Sequence, residues 1–158
     1  MIFVTVGGNT PFDRLVDTLD AWAGERGRSD VLAQIGEAES EPRHLRFERF
    51  IPADRFRSLM REAEVVIGHA GMGTILNALE LRVPLLVMPR RGHLKETRND
   101  HQWVTAEHFA ERGVIDVARD EAELRARLDD LSSIRPPADT DPGPGRALSQ
   151  AIRRWVES

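Results

Sequence analysis

Residues 65–88 read VVIGHAGMGTILNALELRVPLLVM, and their alternation of apolar and helical segments indicates the architecture of the chain. Residues 65–68 are short and wholly apolar, which is typical of a strand buried on both faces. Residues 73–81 are predicted to be a helix, and residues 83–88 form a second apolar strand. A strand, a helix and a strand in this order predict a βαβ unit of a parallel sheet.

The same alternation continues on both sides of this unit. Further strands are predicted at residues 1–6, 31–35, 45–50 and 114–117, and further helices at 12–25, 53–63, 100–112 and 120–131. Gly27 and Gly113 end two of these helices, as glycine commonly does. The pattern predicts a single α/β domain over residues 1–131, with a parallel sheet and helices on both faces.

The composition changes beyond residue 131. Residues 132–145 contain four prolines and few apolar side chains, which predicts a linker. Residues 146–158 carry apolar side chains at helical spacing and are predicted to form a last helix. That helix could pack on its own sheet, on a partner, or on a second copy in a homo-oligomer.

The composition also excludes several classes of protein. The 158 residues include 22 basic and 26 acidic side chains, so the net charge of −4 offers no strong field for nucleic acid or an anionic membrane. There is no cysteine, which excludes disulfides, zinc–thiolate sites and cysteine nucleophiles. No signal peptide or long apolar span is found, so we expect a cytoplasmic protein that reaches a membrane only through a partner.

Three polar loops are expected to meet at one edge of the sheet, because ligands of open parallel sheets bind beyond the carboxyl ends of the strands. These loops are residues 7–10, 69–74, and 89–93 running on to 99–102. In the second loop, small residues let a ligand approach the backbone at a helix N-terminus, which favours phosphate, and Thr74 can add a hydroxyl donor. The alternative is a tight turn that needs glycine for its geometry, since the spacing matches neither the Walker nor the Rossmann pattern.

The third loop is basic and rich in hydrogen-bonding groups. Arg90, Arg91 and His93 could hold a diphosphate or sugar hydroxyls. The alternative is a solvated loop capped at the next helix by Asn99 or Asp100. No HExxH or GxSxG pattern occurs anywhere in the sequence, and we expect no metal site.

Several segments together resemble a known family. Residues 68–80 (GHAGMGTILNALE), 84–90 (PLLVMPR) and 99–102 (NDHQ) resemble the C-terminal, donor-binding half of GT-B glycosyltransferases of family 28. The opening residues 4–8 (VTVGG) and 12–15 (FDRL) resemble its small stand-alone members, the Alg13-like and PssE/EpsE-like subunits. The resemblance covers about residues 1–117 and implies a single Rossmann-like domain, the C-terminal half of a GT-B fold.

The resemblance and the loop analysis together predict a set of substrate-binding residues. They are Gly7, Gly8, Asn9, His69, Gly71, Met72, Gly73, Thr74, Asn77, Arg90, His101 and Gln102. Residues 71–74 match the turn that contacts the diphosphate, residues 7–9 match a first loop near the donor, and residues 101–102 match the stretch that reaches the donor sugar.

Two of these positions depart from the family pattern, and a third has two possible roles. Asn77 stands where the family often has a glutamate that holds the ribose hydroxyls, and Gly8 stands where small members often carry threonine. His69 is a weak candidate for the catalytic base, with a structural or phosphate-contacting role favoured by its place at a strand end.

The function implied by the resemblance is the binding of a UDP-sugar donor. The chain would be one subunit of a two-component inverting glycosyltransferase that acts on a polyprenyl-diphosphate-linked acceptor in polysaccharide or glycan synthesis. A membrane-attached Alg14/PssD-like subunit would supply the acceptor site and the catalytic base, so that this chain could lie peripherally at the inner face of the membrane. No cofactor or metal is expected, because a helix N-terminus can stabilise a diphosphate leaving group.

Two other functions stay open. The first is a non-catalytic, regulatory nucleotide-binding module, an alternative that Asn77 keeps open. The second is a Rossmann-like protein of another chemistry, such as an epimerase-like domain.

Overall fold

A computed structural model describes residues 1–8 and 10–137. Its strands are Ile2–Thr5 (β1), Val31–Gln34 (β2), Arg46–Glu48 (β3), Val65–Gly68 (β4), Leu85–Val87 (β5) and Asp116–Val117 (β6). Its helices are Asp13–Arg26 (α1), Ala53–Glu62 (α2), Met72–Leu81 (α3), His101–Glu111 (α4) and Glu121–Leu128 (α5). Two short 3-10 turns, Gly92–Leu94 and Leu131–Ser133, are also formed.

The six strands form one parallel sheet in the order β3-β2-β1-β4-β5-β6. Thr5 at the end of β1 pairs with Gln34 of β2 on one side and with Gly68 of β4 on the other. The direction in which the chain adds strands reverses between β1 and β4, which makes this the topological switch point of a doubly wound sheet. The predicted parallel sheet is confirmed.

Alternate side chains of the strands enter two separate cores. Ile2 and Val4 of β1 pack with α1 and α5 on one face of the sheet, and Phe3 packs with α2, α3 and α4 on the other. All three side chains are fully buried. The ring of Phe3 meets Phe56 of α2 edge to face at 5.3 Å. This alternation confirms that helices cover both faces.

The packed domain extends beyond its predicted end at residue 131. Ile134, within the segment predicted as a linker, is 4% exposed and joins the core beneath α1 and α5. The Leu131–Ser133 turn precedes this residue, and burial of its apolar side chain keeps this part of the chain packed against the domain. Residues 138–145 of the predicted linker and the predicted helix 146–158 lie outside the described residues.

Candidate functional site

The loops that follow β1, β4 and β5 meet at the switch point, as the sequence predicts. His69, the first residue after β4, stands between the β1 loop and the start of α3. A Cβ atom at Gly7 would lie 2.9 Å from Cε1 of this histidine, and a Cβ atom at Gly71 would overlap its ring, 2.9 Å from Cδ2. Glycine is therefore needed at these two positions because the imidazole occupies the space between them.

The imidazole of His69 is neutral at physiological pH. Burial, and to a smaller extent the nearby charge of Arg90, together lower its pKa to about 4. Its buried Nδ1 atom has no hydrogen-bond partner among the described residues. A neutral imidazole carries one N–H donor and one acceptor, so this ring offers hydrogen bonds without a charge.

The N-terminus of α3 is open. Gly71 is the cap residue, with φ −78° and ψ 136°, and no side chain caps the helix. The first amides of a helix lack partners within it and carry its positive dipole end. A Cβ atom at Gly73 would meet nothing within 4 Å, so the surface above this residue is free for a ligand.

Thr74, which the sequence analysis expects to add a hydroxyl donor, is mostly buried at the start of α3. It is 7% exposed, and its methyl group faces the backbone of β4, 3.6 Å from where a Cβ of Gly68 would lie. Packing against the strand therefore accounts for the position of this side chain. In the predicted phosphate-binding turn, residues 71–74, the backbone around Gly73 is exposed.

Arg90, a predicted binding residue, has a buried side chain that forms hydrogen bonds within the protein. The residue is 3% exposed, and burial lowers the pKa of its guanidinium. Its terminal nitrogens donate hydrogen bonds of 2.6–3.2 Å to the carbonyls of Val6, Thr10, Pro11 and Glu96. The guanidinium also stacks over Phe12, 4.7 Å from the ring centroid. Arg90 therefore joins the β1 and β5 loops, and its cation is not presented to a ligand.

Gln102 and His101 have different surroundings. The Oε1 atom of Gln102 accepts a hydrogen bond from the backbone N–H of Arg90 at 3.3 Å, which ties α4 to the β5 loop. His101 is exposed, and its backbone N–H donates to Asn99. Gly8 has open space where a Cβ would be, and Asn9 lies outside the described residues.

The amide of Asn77 is held in one orientation by two contacts. Its Nδ2 donates to the carbonyl of Gly73 at 2.9 Å, and its Oδ1 accepts from Arg57 of α2 at 2.9 Å. Arg57 also forms an ion pair with Glu80 at 3.1 Å. The sequence pattern of α3 does not predict the contact between Asn77 and Arg57, because Arg57 belongs to α2.

A second ion pair that the sequence analysis missed supports the β5 loop from α1. Arg14 donates to the two carboxylate oxygens of Glu96 at 2.6 and 2.9 Å, and both side chains are mostly buried. Glu96 also accepts from the backbone N–H of Arg91, whose guanidinium lies 4.0 Å from the ring centroid of Trp103. These contacts hold the basic loop after β5 in one conformation.

The part of the chain that the structure describes contains neither a metal-binding cluster nor a membrane-spanning helix. Over residues 1–8 and 10–137, His, Asp and Glu side chains do not gather in any group of three or more that could hold a metal ion. None of the helices in this part of the chain is both long enough and apolar enough to cross a membrane.

Comparison with known proteins assigns the chain to a family. A family model described as "Glycosyltransferase family 28 C-terminal domain" matches residues 1–141, so the chain belongs to this family of α/β domains. The resemblance drawn from the sequence motifs is thereby confirmed.

The similar proteins include curated relatives and solved structures. The chain is 31% identical over 121 residues to the mouse protein named UDP-N-acetylglucosamine transferase subunit ALG13, a match of 70% of this chain and 10% of that protein. An ALG13 structure solved by NMR shares the fold at 20% identity, with a TM-score of 0.63 and coverage of 98% of this chain and 94% of that one. The crystal structure of the kitacinnamycin glycosyltransferase has 24% identity and a TM-score of 0.61, with 96% of this chain matching 38% of that one.

The matched regions are only part of these larger proteins. The match spans only a tenth of the curated relative's length, so the family and its fold are what the similarity establishes. Because the chain matches 38% of the kitacinnamycin enzyme, it corresponds to one part of that larger protein.

Proposed function

We propose that this chain is the donor-binding component of a glycosyltransferase and that its donor is a UDP-sugar. The observation that carries the proposal is the open N-terminus of α3 at the switch point, where Gly73 is exposed and Gly71 lies against the neutral ring of His69. Membership of family 28 supports the transferase class, and the name of the mouse relative supports a UDP-sugar.

Diphosphate binding follows from the chemistry of this helix end. The unpaired amides of the first turn of α3 point toward a ligand placed above Gly73, and the helix dipole favours its negative charge. His69 can donate one further hydrogen bond from its imidazole N–H. When the sugar is transferred, the same groups stabilise the charge that develops on the UDP leaving group, with no metal required.

Asn77 is proposed to contact the ribose. Its amide is oriented by Arg57 and by the carbonyl of Gly73, so its remaining N–H and lone pair have defined directions. A neutral amide binds a diol more weakly than the carboxylate that the family often places here. Gln102, Gly7 and Gly8 remain proposed contacts on the sides of the same crevice.

The acceptor and the catalytic base are proposed to belong to a partner. One α/β domain provides one wall of a cleft between two domains, so a second, membrane-attached subunit would complete it and bring in a polyprenyl-diphosphate-linked acceptor. In this proposal the transfer inverts the anomeric configuration, and the chain works in the cytoplasm at the membrane surface.

The first experiment is a calorimetric titration of the chain with UDP, with and without a chelator. We expect the same affinity in both conditions, because helix amides rather than a metal bind the diphosphate. Gly73→Val should remain folded and lose binding, since the branched side chain fills the open space above α3. Ala122→Val, at the second position of α5, is the matched control and should bind normally. Normal binding by folded Gly73→Val would show that the site is elsewhere.

The second experiment tests the need for a partner. The purified chain should bind UDP but show no turnover of a lipid-linked acceptor, and activity should appear when the acceptor-domain subunit is added. Robust turnover by the chain alone contradicts the two-component proposal. UDP binding without turnover in the presence of the partner would favour the non-catalytic module that Asn77 leaves open.

A further inference from the structure

Two buried polar residues, Gln34 and Thr5, lie side by side at the carboxyl edge of the sheet, beside the site already described. Gln34 of β2, Thr5 of β1 and Gly68 of β4 are neighbours in register across three adjacent strands. Gln34 is 8% exposed and Thr5 is 1% exposed. The hydroxyl of Thr5 accepts a hydrogen bond from the N–H of Gly7 at 3.3 Å, so this residue is satisfied.

Gln34 differs from Thr5 because its carbonyl has no partner. The Oε1 atom is buried and accepts no hydrogen bond from the described residues. A buried carbonyl without a donor destabilises the fold relative to an apolar side chain of the same shape. Packing of the free protein therefore gives no reason for a glutamine at this position.

The side chain of Gln34 lies on the ligand side of the fold. Its neighbours Ala33 and Ile35 belong to the core under α1 and α5, so the alternation of the strand directs Gln34 to the opposite face, where α2 and α3 begin. The turn that follows β2 also touches the β1 loop, since a Cβ at Gly36 would lie 2.7 Å from the carbonyl oxygen of Gly7. Gln34 is thus part of the same edge as the proposed diphosphate site.

The spacing of the strands relates Gln34 to that site. It lies on β2, which is two strands from β4, or about 9–10 Å along the edge from the strand that leads into α3. A diphosphate above α3 offers hydrogen-bond acceptors only, so it cannot satisfy the carbonyl of Gln34. The nucleoside attached to that diphosphate carries O–H and N–H donors at about this separation.

We propose that Gln34 binds the nucleoside part of the nucleotide, with its Oε1 accepting a hydrogen bond from a ribose hydroxyl or a base N–H. This inference rests on the proposed function and adds the direction of the ligand, which runs from α3 across β1 toward β2. The unpaired carbonyl of the free protein becomes paired in the complex, so the residue contributes to affinity and not to the stability of the free fold.

The test uses Gln34→Met, which keeps the length of the side chain and removes the amide. Leu32→Met is the matched control, because Leu32 is buried on the same face of β2, two residues from the edge. Each variant is titrated with UDP and with inorganic pyrophosphate, and its melting temperature is recorded without ligand. We expect Gln34→Met to bind UDP about three- to tenfold more weakly, to bind pyrophosphate normally and to melt at the same or a higher temperature. Leu32→Met should bind UDP as the natural chain does.

The outcomes separate this inference from the proposed function. If Gln34→Met binds UDP normally, or loses UDP and pyrophosphate equally together with stability, the inference is overturned and the proposed function stands. If the natural chain binds pyrophosphate but gains nothing from the nucleoside of UDP, the inference also fails. If it binds neither, the proposed function fails first. Titration with 2′-deoxy-UDP then identifies the donor. A loss of affinity in the natural chain but not in Gln34→Met indicates the ribose hydroxyl, and a loss of equal size in both proteins indicates the base.

Discussion

Gly71→Ala should destabilise the fold because of one side chain, His69. The backbone of Gly71, at φ −78° and ψ 136°, suits alanine, so the substitution introduces no backbone strain. The new methyl group would overlap the imidazole, which is held on its other side by Gly7. Overpacking of this kind costs about 1–3 kcal/mol. For a chain of this size each kcal/mol lowers the melting temperature by about 2–4 °C, so a loss of about 2–12 °C is expected.

Thermal unfolding of four variants measures this effect. Gly73→Ala is the control, because its methyl group would meet nothing within 4 Å and should leave the melting temperature equal or higher. His69→Ala removes the ring, and adding Gly71→Ala to this variant should then have no further destabilising effect. An equal loss from Gly71→Ala with and without the histidine would refute the steric explanation.

Two further predictions concern the groups around this ring. Arg90→Met should unfold more readily by about 3–5 kcal/mol in chemical denaturation, since one buried and three partly buried carbonyls lose their donor, and Arg90→Lys should fall between it and the natural chain. A loss below about 1 kcal/mol in Arg90→Met would contradict this role. The free energy of unfolding should decrease as pH falls from about 6.5 toward 4, because the unfolded chain protonates His69 before the folded chain, whose histidine has a pKa of about 4. His69→Asn should show a smaller decrease over this range, and an unchanged slope would contradict the assignment.

The order of strands and helices could be predicted because short apolar runs and helical spacing are local properties of the sequence. Val65–Gly68 was predicted with its observed bounds, since it is buried on both sides and followed by glycine-rich sequence. The strand predicted at residues 45–50 is shorter, Arg46–Glu48, because it lies at the sheet edge and pairs on one side only. Ile134 falls in the predicted linker because its segment contains four prolines and few apolar residues, yet its side chain is buried in the core.

The roles of charged side chains could not be predicted as well. Arg90 was expected to face a ligand, but it is buried among carbonyls contributed by a loop about 80 residues away in the sequence. The pairing of Arg57 with Asn77 and of Arg14 with Glu96 also joins distant elements. No periodic pattern in the sequence encodes such contacts. The place of the crevice follows from the strand order, whereas the side-chain contacts within it join residues that are distant in the sequence.

The most direct test of the proposed donor site is amide NMR of the chain titrated with UDP. We expect the largest chemical-shift changes at the first turn of α3, in the amides of Met72, Gly73 and Thr74, with further changes at Gly7. Changes confined to the cleft beside α1, which is lined by Asp13, Asp17 and Ser40 among others, would contradict it. The absence of any change at saturating UDP would contradict it equally.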